Sequence, residues 1–406
     1  MMKKISFLIA ISFIVFSCTK DNSIDDLRGD KMGTESYYSM SGDGGGDGGT
    51  STGGGDGSGQ GGGDQIDPGQ ITAGEWSDLE NWSFWEELEN GQEYSEMDTY
   101  WEYNLGNRIS VKITNSSADP AVDIKVELLD KNDEILWVSR TDNFGTAELW
   151  PYLANTEAVE IGDLKIRANG ETFGSVETYS NAVNVLVLEN EPGQSGTKRI
   201  DIAFMVDATG SMADELEYLK VELVDVIEKV RNDNPDADLN MGSVFYRDEG
   251  DEYVTRKREF STDTNKTIAF INDQHASGGG DFPEAVHTAM RTCLKDLQWS
   301  DRATNRILFM LLDAPPHYEA QIVDEIHSLT ELSASKGIKI IPITASGIDK
   351  ETEFLMRYMA IATNGTYVFI TDHSGIGGDH LEPSIGEYEV EYLNELMIRL
   401  INKYLE

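Results

Sequence analysis

Ile200-Asp201-Ile202-Ala203-Phe204-Met205-Val206-Asp207-Ala208-Thr209-Gly210-Ser211-Met212 sets the pattern for the C-terminal half of the chain. An apolar run of strand length ends abruptly in Asp-x-Thr-Gly-Ser. A charged pattern with helical spacing follows at once, its apolar stripe made by Leu216, Leu219, Leu223, Ile227 and Val230. The order is strand, loop, helix. In open parallel sheets, ligands collect where loops leave the carboxyl ends of the strands. A carboxylate and two hydroxyls at such a place are hard oxygen donors, the kind that small divalent cations take.

Outward from this stretch, the same alternation runs to the end of the chain. Strands are expected at about 200–206, 239–246, 253–260, 306–312, 338–345 and 366–370, and helices at about 213–231, 264–274, 283–298, 320–336, 350–362 and 388–404. Continuous apolar strands such as Ile307-Leu308-Phe309-Met310-Leu311-Leu312 predict an α/β fold, a doubly wound and mostly parallel sheet with helices on both faces. The strand near 253 follows its predecessor with no room for a crossover helix, so these two should form an antiparallel hairpin at one edge.

Upstream, from about 66 to 191, the pattern shortens to period two, as in Ile109-Ser110-Val111-Lys112-Ile113 and Val122-Asp123-Ile124-Lys125-Val126-Glu127-Leu128. Such segments, separated by Asn, Asp, Gly and Pro, predict a smaller antiparallel β-sandwich. Within Leu136-Trp137-Val138-Ser139-Arg140-Thr141-Asp142-Asn143-Phe144-Gly145-Thr146-Ala147, the Thr-Asp-x-x-Gly-x-Ala element resembles the prealbumin-like, carboxypeptidase-regulatory type of sandwich, which implies a spacer. Trp76, Trp82, Trp85 and Trp101 suit a core or a domain seam, and the alternative is a carbohydrate-stacking face. A linker at 192–198 then leads into the α/β domain at 199–406.

The N-terminal segment has the form of an address. Lys3-Lys4 precede the apolar run Ile5 to Phe16, too short to span a bilayer comfortably. Val15-Phe16-Ser17-Cys18 resembles the lipobox of bacterial lipoproteins, which implies a signal peptide at 1–17, a lipidated Cys18, and a protein anchored in the bacterial outer membrane and exposed at the cell surface. Residues 18–65 hold that Cys and a Gly-rich tether. About twenty-five of these residues are nearly all Gly, Asp and Ser, with a mean span on the order of 25 to 30 Å. After Cys18 only Cys293 remains, so no internal disulfide is available to the folded domains. With 32 Lys plus Arg against 73 Asp plus Glu, a net charge of −41, the chain repels nucleic acid and attracts cations or basic partner surfaces.

Three loops in the α/β region carry oxygen ligands. They are Asp207-x-Thr209-x-Ser211, then Ser277-Gly278-Gly279-Gly280-Asp281-Phe282-Pro283-Glu284, then Asp313-Ala314-Pro315-Pro316-His317. Singly, each reads as capping or turn chemistry. Together and in this order they resemble the metal-ion-dependent adhesion site of von Willebrand factor A domains, over roughly 198–406. The wording, with Tyr246-Arg247-Asp248, is similar to the branch that includes domains attached to alpha-type protein kinases. The resemblance implies a magnesium ion, with manganese or calcium as alternatives, held by Asp207, Thr209, Ser211 and Asp281, and by Asp313 directly or through water. Asp281 stands where that family more often has Thr. An added carboxylate about 4 Å from an incoming one raises repulsion of about 4 kcal/mol at an effective dielectric of about 20, so a partner's backbone oxygen, amide or basic residue becomes an alternative to its carboxylate. Asp248 is either an outer group that orients ligands or one half of an Arg-Asp pair. His317, His373 and His380 match no zinc spacing.

These readings make the chain a non-enzymatic, metal-dependent binding module for an extracellular or envelope protein. One alternative is a magnesium-dependent phosphohydrolase of the haloacid-dehalogenase type. There the second position of Asp-x-Asp is an acid, and here it is Thr209. The other is an envelope scaffold that binds carbohydrate through the sandwich.

Overall fold

The structure is a computed structural model that describes residues 66–91, 94–151, 153, 159–189, 191 and 198–406. The signal segment, Cys18, the tether and the linker at 192–197 lie outside the described residues.

The chain enters through β1 (Thr72–Trp76), then two short helices, α1 (Trp82–Glu89) and α2 (Met97–Trp101). The sandwich follows as β2 (Ile109–Asn115), β3 (Lys125–Leu129), β4 (Ile135–Arg140), β5 (Thr146–Leu149), β6 (Lys165–Ala168), β7 (Glu171–Phe173) and β8 (Asn184–Leu188). The α/β domain comprises β9 (Arg199–Asp207), α3 (Ala213–Asp233), β10 (Asp238–Tyr246), β11 (Thr255–Ser261), α4 (Thr264–Asn272), α5 (Val286–Arg291), β12 (Asn305–Leu312), α6 (Ala320–Lys336), β13 (Ile338–Thr344), α7 (Lys350–Ala362), β14 (Tyr367–Ile370), β15 (Val390–Tyr392) and α8 (Leu393–Lys403).

The large sheet has eight strands in the order β11-β10-β9-β12-β13-β14-β1-β15. Its centre is parallel, and β11 pairs antiparallel with β10 as the expected hairpin edge. Every residue of β12 is buried, as a strand covered on both faces must be. The stripe Leu216, Leu219, Leu223, Ile227 and Val230 of α3 is at most 1% exposed against one face of the sheet.

The far edge departs from expectation. β1, placed by sequence inside the sandwich region, is instead the seventh strand of the large sheet and lies antiparallel between β14 and β15. Its Gly74 admits the Phe369 ring, since a Cβ there would lie 2.5 Å from it. Just ahead of it, the amides of Gly69, Gln70 and Ile71 all donate to the carboxylate of Glu222 on α3. The C-terminal helix begins later than expected because 390–392 pairs with β1 as a strand.

The sandwich packs a three-stranded sheet, β5-β2-β8, against a four-stranded one, β4-β3-β6-β7. All its pairs are antiparallel except β2 with β8, which is parallel. It does not behave as a detached spacer. The Thr-Asp-x-x-Gly-x-Ala loop turns on Asp142, whose Oδ1 accepts from Phe144 N, Thr146 N and Thr146 Oγ1 at 2.9 to 3.0 Å. Gly145 has φ +74°, and a Cβ there would lie 2.3 Å from the Ile113 carbonyl oxygen. The other oxygen of Asp142 accepts from Lys339 Nζ of β13 at 3.0 Å, both side chains being buried. Asp123 likewise pairs with Arg306 of β12, and Asp78 with Arg357 of α7. Trp82, Trp85 and Trp101 are 7%, 0% and 1% exposed, and Trp85 stacks on Phe354 of α7 at 5.4 Å. The tryptophans occupy the seam, so the stacking-face alternative finds no exposed ring among these residues.

Candidate metal centre

Asp207 is the last residue of β9, a central strand, and is fully buried. Its Oδ1 accepts from the amide of Thr209 at 2.8 Å and from the Thr209 hydroxyl at 2.7 Å. This tight turn folds the loop back on the carboxylate and leaves Oδ2 with no well-formed hydrogen bond among the described residues. The Thr209 and Ser211 hydroxyl oxygens lie 3.1 Å apart. Asp313 follows β12, the strand beside β9, is 6% exposed, and its Oδ1 is also unpartnered. Adjacent parallel strands thus deliver two carboxylates and two hydroxyls to one rim of the sheet. Burial drives the proton affinity of both carboxyls upward. The negative charge of Asp313 adds to this at Asp207, and the Ser211 hydroxyl holds Asp313 back.

The glycine loop is tied to the first loop by backbone bonds, Gly210 N to Gly278 O at 3.1 Å and Ser277 N to Ala208 O at 3.0 Å. Gly278 has φ +87° and packs against the Asp251 carboxylate, which accepts from Gly279 N at 2.8 Å. A Cβ on Gly279 would lie 2.9 Å from Glu284 Oε1 and 3.4 Å from the Thr209 Cβ, so this glycine is the thin wall between the two side chains.

The structure does not bring Asp281 into the cluster. It is exposed and has no hydrogen bond or ion pair among the described residues. Glu284, three residues on, is the carboxylate that turns inward. It is 3% exposed with Oε2 unpartnered. Burial first, then the charges of Asp207, Asp248, Asp313 and Asp251, push its carboxyl up to about 9. Its position is fixed by a bond from its amide to the Pro315 carbonyl in the third loop at 2.9 Å. Sequence reasoning missed it because a Glu just after Pro283 at a helix start looks like first-turn chemistry.

Arg247 and Asp248 brace the loops separately and do not pair with each other. Arg247 donates to the carbonyls of Ala208 and His275, at 3.2 and 2.8 Å, joining the first two loops from below. Asp248 Oδ1 is hydrogen-bonded to His317 Nε2 at 2.7 Å, which ties the third loop to the end of β10. The hydroxyl of Tyr246 is buried beside Asp207 without a well-formed hydrogen bond. His380 is held between Asp372 and Glu215 at 2.8 and 3.1 Å, apart from His317 at the third loop.

Among the described residues, no three His, Cys, Asp or Glu side chains form a ready-made metal cage. The donor set here is mixed. A buried carboxylate oxygen without a donor costs about 1 to 3 kcal/mol, and a hard divalent ion between Asp207 Oδ2, Asp313 Oδ1 and the two hydroxyls would remove that cost. On that test the residues fit the ion.

A mostly parallel α/β sheet whose neighbouring central strands β9 and β12 aim oxygen ligands at one rim defines a class of binding domain. Residues 201–377 match the von Willebrand factor A domain family, and this part of the chain is such a domain. All three ligand loops lie inside the match. Three curated proteins are similar to this chain over part of its length. Alpha-protein kinase vwkA of Dictyostelium discoideum is 26% identical over 180 residues, covering 43% of this chain and 27% of that protein. The von Willebrand factor A domain-containing protein 7 of Homo sapiens is 30% identical over 188 residues, covering 43% and 20%. The putative ariadne-like RING finger protein R811 of Acanthamoeba polyphaga mimivirus is 34% identical over 125 residues, covering 31% and 12%. The chain therefore spans at most 27% of the length of these relatives. Domains of this family serve protein interaction in general and commonly bind divalent metals.

Proposed function

We propose that this chain is a metal-dependent protein-binding module without enzymatic activity. Asp207, Thr209, Ser211 and Asp313 hold magnesium, or manganese or calcium in its place, and the rim around the ion is the partner-binding face. The observation that carries this reading is the pair of buried, unpartnered carboxylate oxygens on Asp207 and Asp313 beside two hydroxyls. Differential scanning of the folded chain in magnesium and in EDTA tests it. The parent should melt higher in magnesium, and Asp207→Ala and Asp313→Ala should abolish the difference. A parent melting temperature that ignores both additions would sink the reading.

A phosphohydrolase reading has less support. The Thr209 hydroxyl is buried and donates to Asp207, and a hydroxyl cannot serve as the acid two residues after a nucleophilic carboxylate at neutral pH. Magnesium-dependent turnover of generic phosphate esters that disappears in Asp207→Asn would revive it. In the cell, anchoring through an acylated Cys18 would present the module at the outer surface. Retention in the membrane fraction that is lost in Cys18→Ser is the expected result.

A further inference from the structure

We infer that the partner brings positive charge to this rim, an arginine- or lysine-bearing loop, and that Glu284 places within the domain a carboxyl group where a partner's carboxylate would otherwise come. The inference rests on the metal-binding reading above and names the chemistry of what binds there.

Two ionised carboxylates, Asp207 and Asp313, already balance a divalent ion. Glu284 is a third, walled off from Thr209 only by Gly279, buried, and with an oxygen that no donor in the described protein satisfies. The filled site therefore has no net positive charge left to offer an incoming carboxylate. Outside it, Glu249 and Asp281 are exposed on the loops that frame the cluster and Asp214 on the first turn of α3, and none has a side-chain hydrogen bond or ion pair among the described residues. Neighbouring cations are already committed. Arg247 is buried on two carbonyls, Arg256 pairs with Glu252, and His317 with Asp248. Phe282 stands 45% exposed next to Asp281. An apolar ring beside an unpaired acid suits a long cationic side chain, whose stem lies on the ring while its charged head meets the carboxylate. An incoming carboxylate meets repulsion from every side.

The test uses the full chain with two fluorescent peptides of equal length, one carrying two arginines and one two aspartates, read by anisotropy in magnesium. Manganese binding to the same chain is titrated separately by calorimetry. The arginine peptide should bind at least about tenfold tighter than the aspartate peptide, and the double variant Glu249→Gln/Asp281→Asn should weaken it by about tenfold. Neutralising two remote acids of the sandwich, Glu171→Gln and Glu189→Gln, should leave it unchanged. A preference for the aspartate peptide, no preference, no binding of either, or equal weakening by the remote variant overturns the inference. Failure of manganese to bind would instead overturn the metal reading, so the two failures are distinguishable.

Discussion

Buried acids at the two ends of the large sheet meet opposite fates. At the seam, Asp142 holds Lys339, Glu148 holds Arg108 with Nε at 2.8 Å, and Asp78 shares the fully buried Arg357 with Glu353. At the opposite rim, Asp207, Asp313 and Glu284 each keep an oxygen with no well-formed hydrogen bond among the described residues. The same chain, with its large excess of acid, brings cations to the carboxylates that hold its parts together and withholds them from the carboxylates that face a ligand. Burial of an unpaired charge is costly, so its persistence at one place points outward, to something that arrives.

The largest expected effect tests the first half of this contrast. Arg357→Ala removes the common partner of Asp78 and Glu353, which are 3% and 0% exposed, and leaves Asp78 buried without its cation and Glu353 with Lys350 alone. A loss of about 3 to 5 kcal/mol is expected in chemical denaturation, as for other broken buried pairs. A loss below about 1 kcal/mol would mean that the seam is hydrated and that the sandwich is only loosely joined.

The second half is tested by the ion itself. Magnesium at about a hundred times its dissociation constant should add about 2.7 kcal/mol to the parent and nothing to Asp313→Ala. Arg357→Ala, far from the rim, should keep the full increment. If the seam variant also loses it, the two ends are not independent and the contrast fails.

How far this arrangement was legible in sequence depended on range. β9 and its following helix were plain because a strand buried on both faces must be apolar throughout, and a helix packed on one face must repeat every three to four residues. Asp207, Thr209, Ser211 and Asp313 came with them, since they sit at the ends of those strands. β1 was not legible: Thr72-Ala73-Gly74-Glu75-Trp76 has no apolar run, and its partners Tyr367 and Ile370 lie some three hundred residues away. The choice of Glu284 over Asp281 was hidden for a similar reason. Which acid turns inward is decided by the bond of Glu284 to Pro315 and by the room Gly279 leaves, and neither is visible in the local pattern.

A smaller effect is expected from pH. The Glu284 carboxyl ordinarily titrates at 4.5 and is pushed up to about 9 by burial and by its acidic neighbours. Between these values the folded chain binds a proton that the unfolded chain has released. Its contribution to stability is therefore fully present below pH 4.5 and is lost as pH rises toward 9. Urea denaturation in EDTA from pH 5 to 9 should show stability falling across neutrality, and Glu284→Gln should flatten the slope. A slope of the opposite sign, or one that the substitution leaves intact, would show that Glu284 is not held among its acidic neighbours as described.

The smallest effect separates the two ends by sign. Asparagine is nearly isosteric with aspartate and keeps an acceptor, so Asp207→Asn preserves the bond from the Thr209 amide while removing a charge that nothing in the described protein balances. In EDTA it should stabilise the chain by about 1 kcal/mol, within the usual range for relief of a functional site. Asp78→Asn performs the same exchange where a guanidinium is waiting, and should destabilise. In magnesium the order at the rim inverts, because the parent gains the ion and the variant has lost a ligand. Asp207→Asn that destabilises in EDTA as well would mean that the carboxylate is there to build the turn at Thr209, and that its free oxygen answers to no ligand.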